Sequence, residues 1–516
     1  GQTIVVFYHF YTILANKLSS PTDAEAKKEP PTQDLIQHII GSFGRYQLCL
    51  CILIFLSKFP IAWHQMAIIF LSPKVDHTCA GGNATCPCPE PEFDTSMFTN
   101  TIEMEWNLIC ENKWLNSFNQ TLFQLGTLIG SVLFGAASDR YESFGRKKPL
   151  LLAVVVQIAM GIGAAYMPDY WSFTFARFII GMTVGGTMVI GFVIAMEFVG
   201  TQYRDIVSAL YQTPFNLGHM TLPLFAYFFR NYSTFQMAIS VPVLVLLIYF
   251  WLVPETPRWL IAVKRTEEAI LILEGVAKKF VYFEIHSNIR SSVEAYQESI
   301  KKDQLKKGNL FDLFRTPNLR KNILAMSFNW LACSYCFYGV SQYVGQLSGN
   351  VFINVAATGS VTLVGTLVSI PLIRSVGRKT ILIVFNAICA MCLIVLCFVP
   401  EGVGSVVCAI IGVVSSFIVF VTVYLYCTEL FPTVVRNAAL GFSSMMARVG
   451  SMVAPFVIEL GDKARWAPPL VFGLVPLVAV FVALFLPETK GCELMTTLEE
   501  GELFGKREET KTETKT

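Results

Sequence analysis

Apolar runs about as long as a bilayer is thick recur along this chain in two sets of six, and few folds accommodate them. The first set falls at roughly 48–70, 118–138, 150–167, 171–196, 206–229 and 234–253. The second falls at roughly 321–345, 352–373, 380–399, 404–427, 438–460 and 467–486. In lipid the backbone must satisfy its own hydrogen bonds, so only helices or closed barrels can cross, and runs of this length select helices. Only 15% of the residues are charged and 53% are apolar, whereas soluble domains carry about 25% charge. The expected fold is an all-α membrane protein with twelve transmembrane helices in two pseudo-symmetric six-helix halves. Its parts are an N-terminal segment, 1–47, partly disordered; a first half, 48–253, containing the loop 71–116; a middle loop, 254–320; a second half, 321–486; and a tail, 487–516.

Lysine and arginine collect in cytoplasmic loops and so orient the chain. "SDRYESFGRKKPL" follows the second run and "RSVGRK" the eighth, and the middle loop carries Lys264, Arg265, Lys278, Lys279, Lys301, Lys302, Lys306 and Lys307. If the chain alternates, all of these face one side. Both termini are then cytoplasmic, the acidic loop 71–116 is outside, and the plasma membrane is the expected location. Two features of that loop agree. Asn83-Ala-Thr85 is a glycosylation acceptor sequence. Cys79, Cys86, Cys88 and Cys110 suggest two disulfides, with three pairings open. The remaining cysteines lie in or near apolar runs, where a thiol acts as a small hydrophobe. The apolar piece Thr3–Ala15 is too short to span, "PTDAEAKKEPPTQD" after it is polar, and residues 1–33 are assigned no function. The charged pattern from 264 to 308 is expected to form short amphipathic helices.

The two halves repeat each other's punctuation. "SDRYESFGRKK" matches "IRSVGRKT", "AMEFVGTQYR" matches "CTELFPTVVR", and "VPETPRWL" matches "LPETKGCEL", each at the same place in its half. Any one of these is explained by a basic turn or a helix stop; the paired occurrence is not. Internal repeats of this kind mark secondary transporters, whose substrates bind between the halves. With Asp139-Arg140, Gly145-Arg146-Lys147-Lys148 and Gly377-Arg378-Lys379, the chain resembles the major facilitator superfamily. Within it, the cysteine-bearing loop, "PETPRWL" at 254–260, "YLYCTELFPTVVRNAALG" at 424–441, "MARVGSMVAP" at 446–455 and "LPETKG" at 486–491 resemble the organic cation, organic anion and carnitine transporter family. "FPIAWHQMAIIFL" at 59–71 is most similar to invertebrate organic cation transporter-like members. The resemblance implies a twelve-helix carrier working by alternating access.

Basic clusters at the cytoplasmic mouths, Arg140 with Arg146 and Arg378, are expected to meet Glu197 and Glu429 at the ends of spans 4 and 10, and Asp139 and Arg436 complete the expected gating set. Ion pairs that form in one state and break in another would gate the carrier; the blander explanation is surface anchoring. Residues three and four apart share a helix face. In span 11, Gly441, Ser444, Arg448, Ser451, Pro455 and Glu459 form one polar stripe. Gln212 marks such a face in span 5, Lys58 in span 1, Tyr335 and Tyr338 in span 7, and Tyr426 in span 10. Polar faces in lipid point to a cavity or to a neighbouring helix. Packing is the preferred reading for serines, threonines and the glycines 181, 185, 186 and 191; cavity lining is preferred for Lys58, Arg448, Gln212 and the span 7 tyrosines.

The deep charges are Lys58 and Arg448, with no aspartate beside them. A buried cation needs a partner, here either a substrate carboxylate or Glu459. Arg448 stands where cation-type members of the resembled family have aspartate and where anion- and carnitine-type members have arginine. The lysine that anion-type members add in span 8 is Thr366 here. The expectation therefore leans to carboxylate-bearing zwitterions or anions. The alternatives are a cation carrier with an aromatic cage of Tyr335, Phe337, Tyr338 and Tyr426, and a non-transporting receptor on the same fold. No nucleotide loop, metal cluster or nucleophile–base arrangement points to an enzyme, a cofactor or a metal, and nothing points to nucleic acid. The expected partners are a small organic ion and the bilayer, with self-association left open. No acid at mid-depth offers a proton or sodium site, so facilitated diffusion or exchange is expected.

Overall fold

The computed structural model describes residues 43–79, 91–140, 145–280, 310–492 and 497–504, with short pieces between them. Asn83 and the side chains of Asp139 and Arg140 lie outside the described residues. The first crossing is α1 (Arg45–Phe55), α2 (Lys58–Met66) and α3 (Ile68–Leu71), turned at Leu56-Ser57 and at Ala67. The loop beyond it holds β1 (His77–Cys79), antiparallel to β2 (Pro91–Phe93), and α4 (Ile102–Glu105). Its disulfides are Cys79–Cys88 and Cys86–Cys110, one of the three open pairings.

Next come α5 (Trp114–Arg140), α6 (Lys147–Ala164) and α7 (Tyr170–Phe198). The glycines of α7 are packing residues: a Cβ on Gly181 or Gly185 would strike the backbone of Phe123 or Thr127 on α5. The fifth crossing is broken into α8 (Arg204–Leu210) and α9 (Thr213–Phe228). Pro214, which has no N–H to give, sits in the restarted first turn. The sixth is α10 (Tyr232–Ser240), a 3-10 stretch Val241–Ile248, and α11 (Tyr249–Leu252). The middle segment gives α12 (Pro257–Ala262) and α13 (Thr266–Phe280); α13 is amphipathic and buries Ala269, Ile270, Leu273 and Val276 against the first half.

The second half runs α14 (Asp312–Arg315), α15 (Pro317–Val344), α16 (Val351–Ser375), α17 (Arg378–Leu396), α18 (Val403–Leu430), α19 (Arg436–Ile458) and α20 (Ala467–Leu484). A tail helix, α21 (Leu498–Leu503), brings the Glu502 carboxylate to the backbone N–H groups of Asn318 (2.9 Å) and Leu319 (3.3 Å) at the start of α15. Among the described residues, 11 helical segments are long and apolar enough to cross a membrane; the broken α8–α9 pair is the twelfth crossing. Trp251, Phe398 and Val403 project outward, as lipid-facing positions should.

The core shows how the halves meet. At the end bearing the disulfide loop, one apolar cluster takes residues from both halves, including Ile61, Phe70, Phe215, Phe337, Phe352 and Phe472. At the Gly-Arg-Lys end the core divides. One cluster there is built from the first half and the middle segment, around Leu150, Ile190 and Trp259. The other is built from the second half, around Trp330, Val423 and Leu430. The halves are sealed together at one end and separate at the other.

Candidate substrate site between the two halves

Each half carries the same clamp at the Gly-Arg-Lys end. Arg146 Nη2 lies 3.1 Å from Glu197 Oε1 in the first half, and Arg378 Nη2 lies 2.7 Å from Glu429 Oε1 in the second. The acids expected to meet these arginines do so, each within its own half. Glu255 accepts from the backbone N–H of Arg146 (2.8 Å) and Lys147 (3.2 Å) at the start of α6. Glu488 accepts from Arg378 (2.8 Å) and Lys379 (3.2 Å) at the start of α17. A carboxylate there satisfies otherwise unpaired N–H groups and complements the helix dipole. This explains the glycine of Gly-Arg-Lys. A Cβ on Gly145 or Gly377 would run into the Glu255 or Glu488 carboxylate, and Gly145 also holds a φ of +71°. Glu255 and Glu488 went unrecognised as partners in the sequence; their signal was the Pro-Glu-Thr repeated at matching positions. Arg436 does not join the clamp. Its Nε donates to the Phe431 carbonyl at 3.3 Å, as Arg204 does to Val199 in the first half.

Deeper, the two halves face each other across two cations. Lys58 at the start of α2 is 1% exposed, and its Nζ stands 3.9 Å over the ring of Tyr211, at the break between α8 and α9. Arg448 in α19 is 4% exposed, and its Nη2 reaches the Met188 sulfur of α7 at 3.5 Å. Met188 in turn accepts through its carbonyl from the Tyr211 hydroxyl at 3.1 Å. Arg448 is close enough to act electrostatically on Lys58, Tyr338 and Tyr424. Behind Tyr424 lies Trp330, ring to ring at 4.3 Å, and Phe337 packs on Tyr338 at 5.0 Å and on Phe215 of the first half at 6.3 Å. Lys58, Met188 and Tyr211 come from one half; Arg448, Tyr338 and Tyr424 come from the other. The segments that carry Lys58, Tyr338 and Arg448 contain no aspartate or glutamate, and the acids of the other segments, Glu197, Asp205 and Glu429, all sit within two residues of a helix end.

Glu459 is not the partner of Arg448. Eleven residues of helix put it about 16 Å further along, beside Ser117 and near the Lys113–Asp462 ion pair (2.5 Å) that ties the halves at the sealed end. Thr366 accepts from Asn216 Nδ2 across the halves at 2.7 Å.

Two expected lining residues are corrected. Tyr335 shares a helix face with Tyr338 but packs on Phe472 of α20 at 4.9 Å, inside the second half. Tyr426 donates its hydroxyl to Pro487 O at 2.5 Å, near the Glu429 clamp. Ser451 donates to the Arg448 carbonyl at 2.9 Å, so its hydroxyl is engaged on its own helix. Ser444 and Gln212 are half-buried, Gln212 at the α8–α9 break. Tyr211, Tyr424, Trp330 and Met188 were missed.

Comparison with known proteins agrees with this architecture. Residues 96–500 match the sequence family described as sugar (and other) transporter. The organic cation transporter protein of Drosophila melanogaster is 33% identical, across 92% of this chain and 95% of its own length. Solute carrier family 22 member 1 of Oryctolagus cuniculus is 32% identical, across 86% of this chain and 79% of its own. The inward open conformation of the xylose transporter XylE from E. coli superposes with a TM-score of 0.64 at 19% identity, covering 88% of this chain and 99% of that one. The chain belongs to the sugar (and other) transporter family of the major facilitator fold, and within it to the organic cation, organic anion and carnitine transporters.

Proposed function

We propose that this protein carries small organic ions across the plasma membrane by alternating access, and that its site favours substrates bearing a carboxylate. The disulfide loop faces outside, where disulfides persist, and both termini face the cytoplasm. One observation carries the charge preference: Lys58 and Arg448 are buried on opposite halves, close enough to act on each other electrostatically, with no acid in the segments that supply them. Burying a cation without a counter-charge is unfavourable. A carboxylate that enters between Lys58 and Arg448 relieves both, and a zwitterion can also lay its ammonium on the rings of Tyr338 and Tyr424. The Arg146–Glu197 and Arg378–Glu429 pairs serve gating at the cytoplasmic end by holding each half rigid, so that each moves as a unit when the mouth opens and closes.

A second reading has its own support. Lys58 already rests on the face of Tyr211, so this site does hold an ammonium on a ring, and relatives carry the name organic cation transporter. On this reading a cationic substrate uses the aromatic faces and Arg448 is structural. Uptake of labelled carnitine, choline, tetraethylammonium and a dicarboxylate into cells expressing the wild type and Arg448→Asp separates the two. Carboxylate uptake that falls at least tenfold in the variant, while cation uptake holds or rises, supports the first reading. Unchanged selectivity sinks it, and binding without any uptake points to a receptor.

A further inference from the structure

Arg177 stands apart from the substrate site. It lies two turns into α7, about 16 Å along that helix from Met188, and is 0% exposed. Its partners are all neutral. Nη1 donates to the His64 carbonyl at 3.1 Å, near the turn at Ala67, and Nη2 donates to Gln120 Oε1 at 3.3 Å. The guanidinium lies 4.4 Å over the Phe123 ring. Arginine cannot shed its proton in a protein, and the segments around it, 58–71, 114–138, 170–196, 213–228 and 232–252, contain no aspartate or glutamate. The counter-charge that a buried cation requires is therefore not supplied by these helices.

The surrounding donors tell the same story. Arg177 Nε, Gln124 Nε2 and both ring nitrogens of His64 are buried without a hydrogen-bond partner among the described residues. Gln124 and Gln120 belong to one network, because Gln124 Oε1 accepts from Gln65 Nε2 at 3.2 Å and Gln120 Nε2 donates to the Gln65 carbonyl at 3.4 Å. Arg177 is also close enough to act electrostatically on the His64 ring. Unpaired N–H groups on Arg177, on Gln124 and on one nitrogen of a neutral His64 ring thus lie around a cation with no acid in the adjoining helices, and Gln65 Oε1 of the same network is left as an unpaired acceptor. Native structures rarely leave buried donors unpaired, and each one calls for an explanation.

We propose that Arg177, with His64 and Gln124, holds a small inorganic anion such as chloride inside the first half, separate from the substrate site. The burial favours a single small ion over an organic carboxylate: His64, Gln124 and Phe123 are each 0% exposed, so whatever binds among them is cut off from solvent. Bound there, the anion neutralises Arg177 and accepts from the unpaired donors, so the folded first half is linked to anion concentration.

The test uses the purified full-length protein in chloride and in gluconate at one ionic strength, with crystals grown in bromide to locate the anion by anomalous scattering. Chloride is expected to raise the melting temperature saturably, by about 2 °C or more. Arg448→Gln should keep that increment, and Arg177→Gln should lose it. Bromide density is expected beside the Arg177 guanidinium. The proposal is overturned by equal melting in both salts, by an increment that survives Arg177→Gln or disappears with Arg448→Gln, or by bromide-grown crystals without density at Arg177. If Arg177→Gln fails to fold, the bromide position in the wild type decides.

Discussion

A single arginine in an apolar run carries most of the functional argument. Arg448 was legible in the sequence because it sits on the polar stripe of its helix, and the structure takes Glu459 away as its partner. What periodicity could not supply was the identity of the neighbour each face meets. Tyr335 and Tyr338 share a face, yet one packs inside the second half and the other faces Arg448. Tyr211 was missed because it lies at a helix break, where periodicity has no meaning. Its ring under Lys58 makes a prediction. Tyr211→Phe keeps the ring, and uptake should stay within about threefold of wild type, the loss of one modest hydrogen bond. Tyr211→Leu removes the cation–π contact, about 0.5–2 kcal/mol, and should lower both uptake and melting temperature beyond the phenylalanine variant.

At the scale of elements, Pro-Glu-Thr and Gly-Arg-Lys prove to be two parts of one device. The sequence showed both motifs twice, but nothing in their separation showed that the glutamate of one caps the helix opened by the other. Glu488→Ala should destabilise the purified protein by about 1–2 kcal/mol, the usual loss of a charged helix cap. Gly145→Ala should cost more, because the new Cβ meets Glu255 at a positive φ; a smaller loss for Gly145→Ala than for Glu488→Ala would show that the clamp gives way easily. The sealed end holds a pH-sensitive element in α4. Burial pushes the Glu103 carboxyl up to about 7, with Lys113 opposing and Asp462 adding to the shift. A carboxyl with a raised value binds its proton more readily in the folded protein than in the unfolded chain. The folded protein should therefore gain stability relative to the unfolded chain as pH falls from about 7 toward the ordinary value of 4.5. Melting temperatures from pH 8 to 5 should show this gain in the wild type and lose it in Glu103→Gln.

For the whole molecule, twelve crossings in two halves could be read from apolar runs and repeated loops, since both follow from what a bilayer demands of a backbone. Which end is closed in this structure could not, because apolar runs and loop motifs carry no information on how the two halves meet. The structure shows one shared core at the disulfide end and two separate cores at the other. Lys113 and Asp462 bridge the halves at the closed end, and Lys58 and Arg448 lie between them further in. If transport requires that end to open, tying it shut must stop transport. In a Lys113→Cys/Asp462→Cys variant, a bifunctional thiol reagent that spans the two positions should abolish uptake, each single variant treated alike should keep it, and a cleavable linker should restore it on reduction. Full uptake through the cross-linked double variant would contradict alternating access about this site.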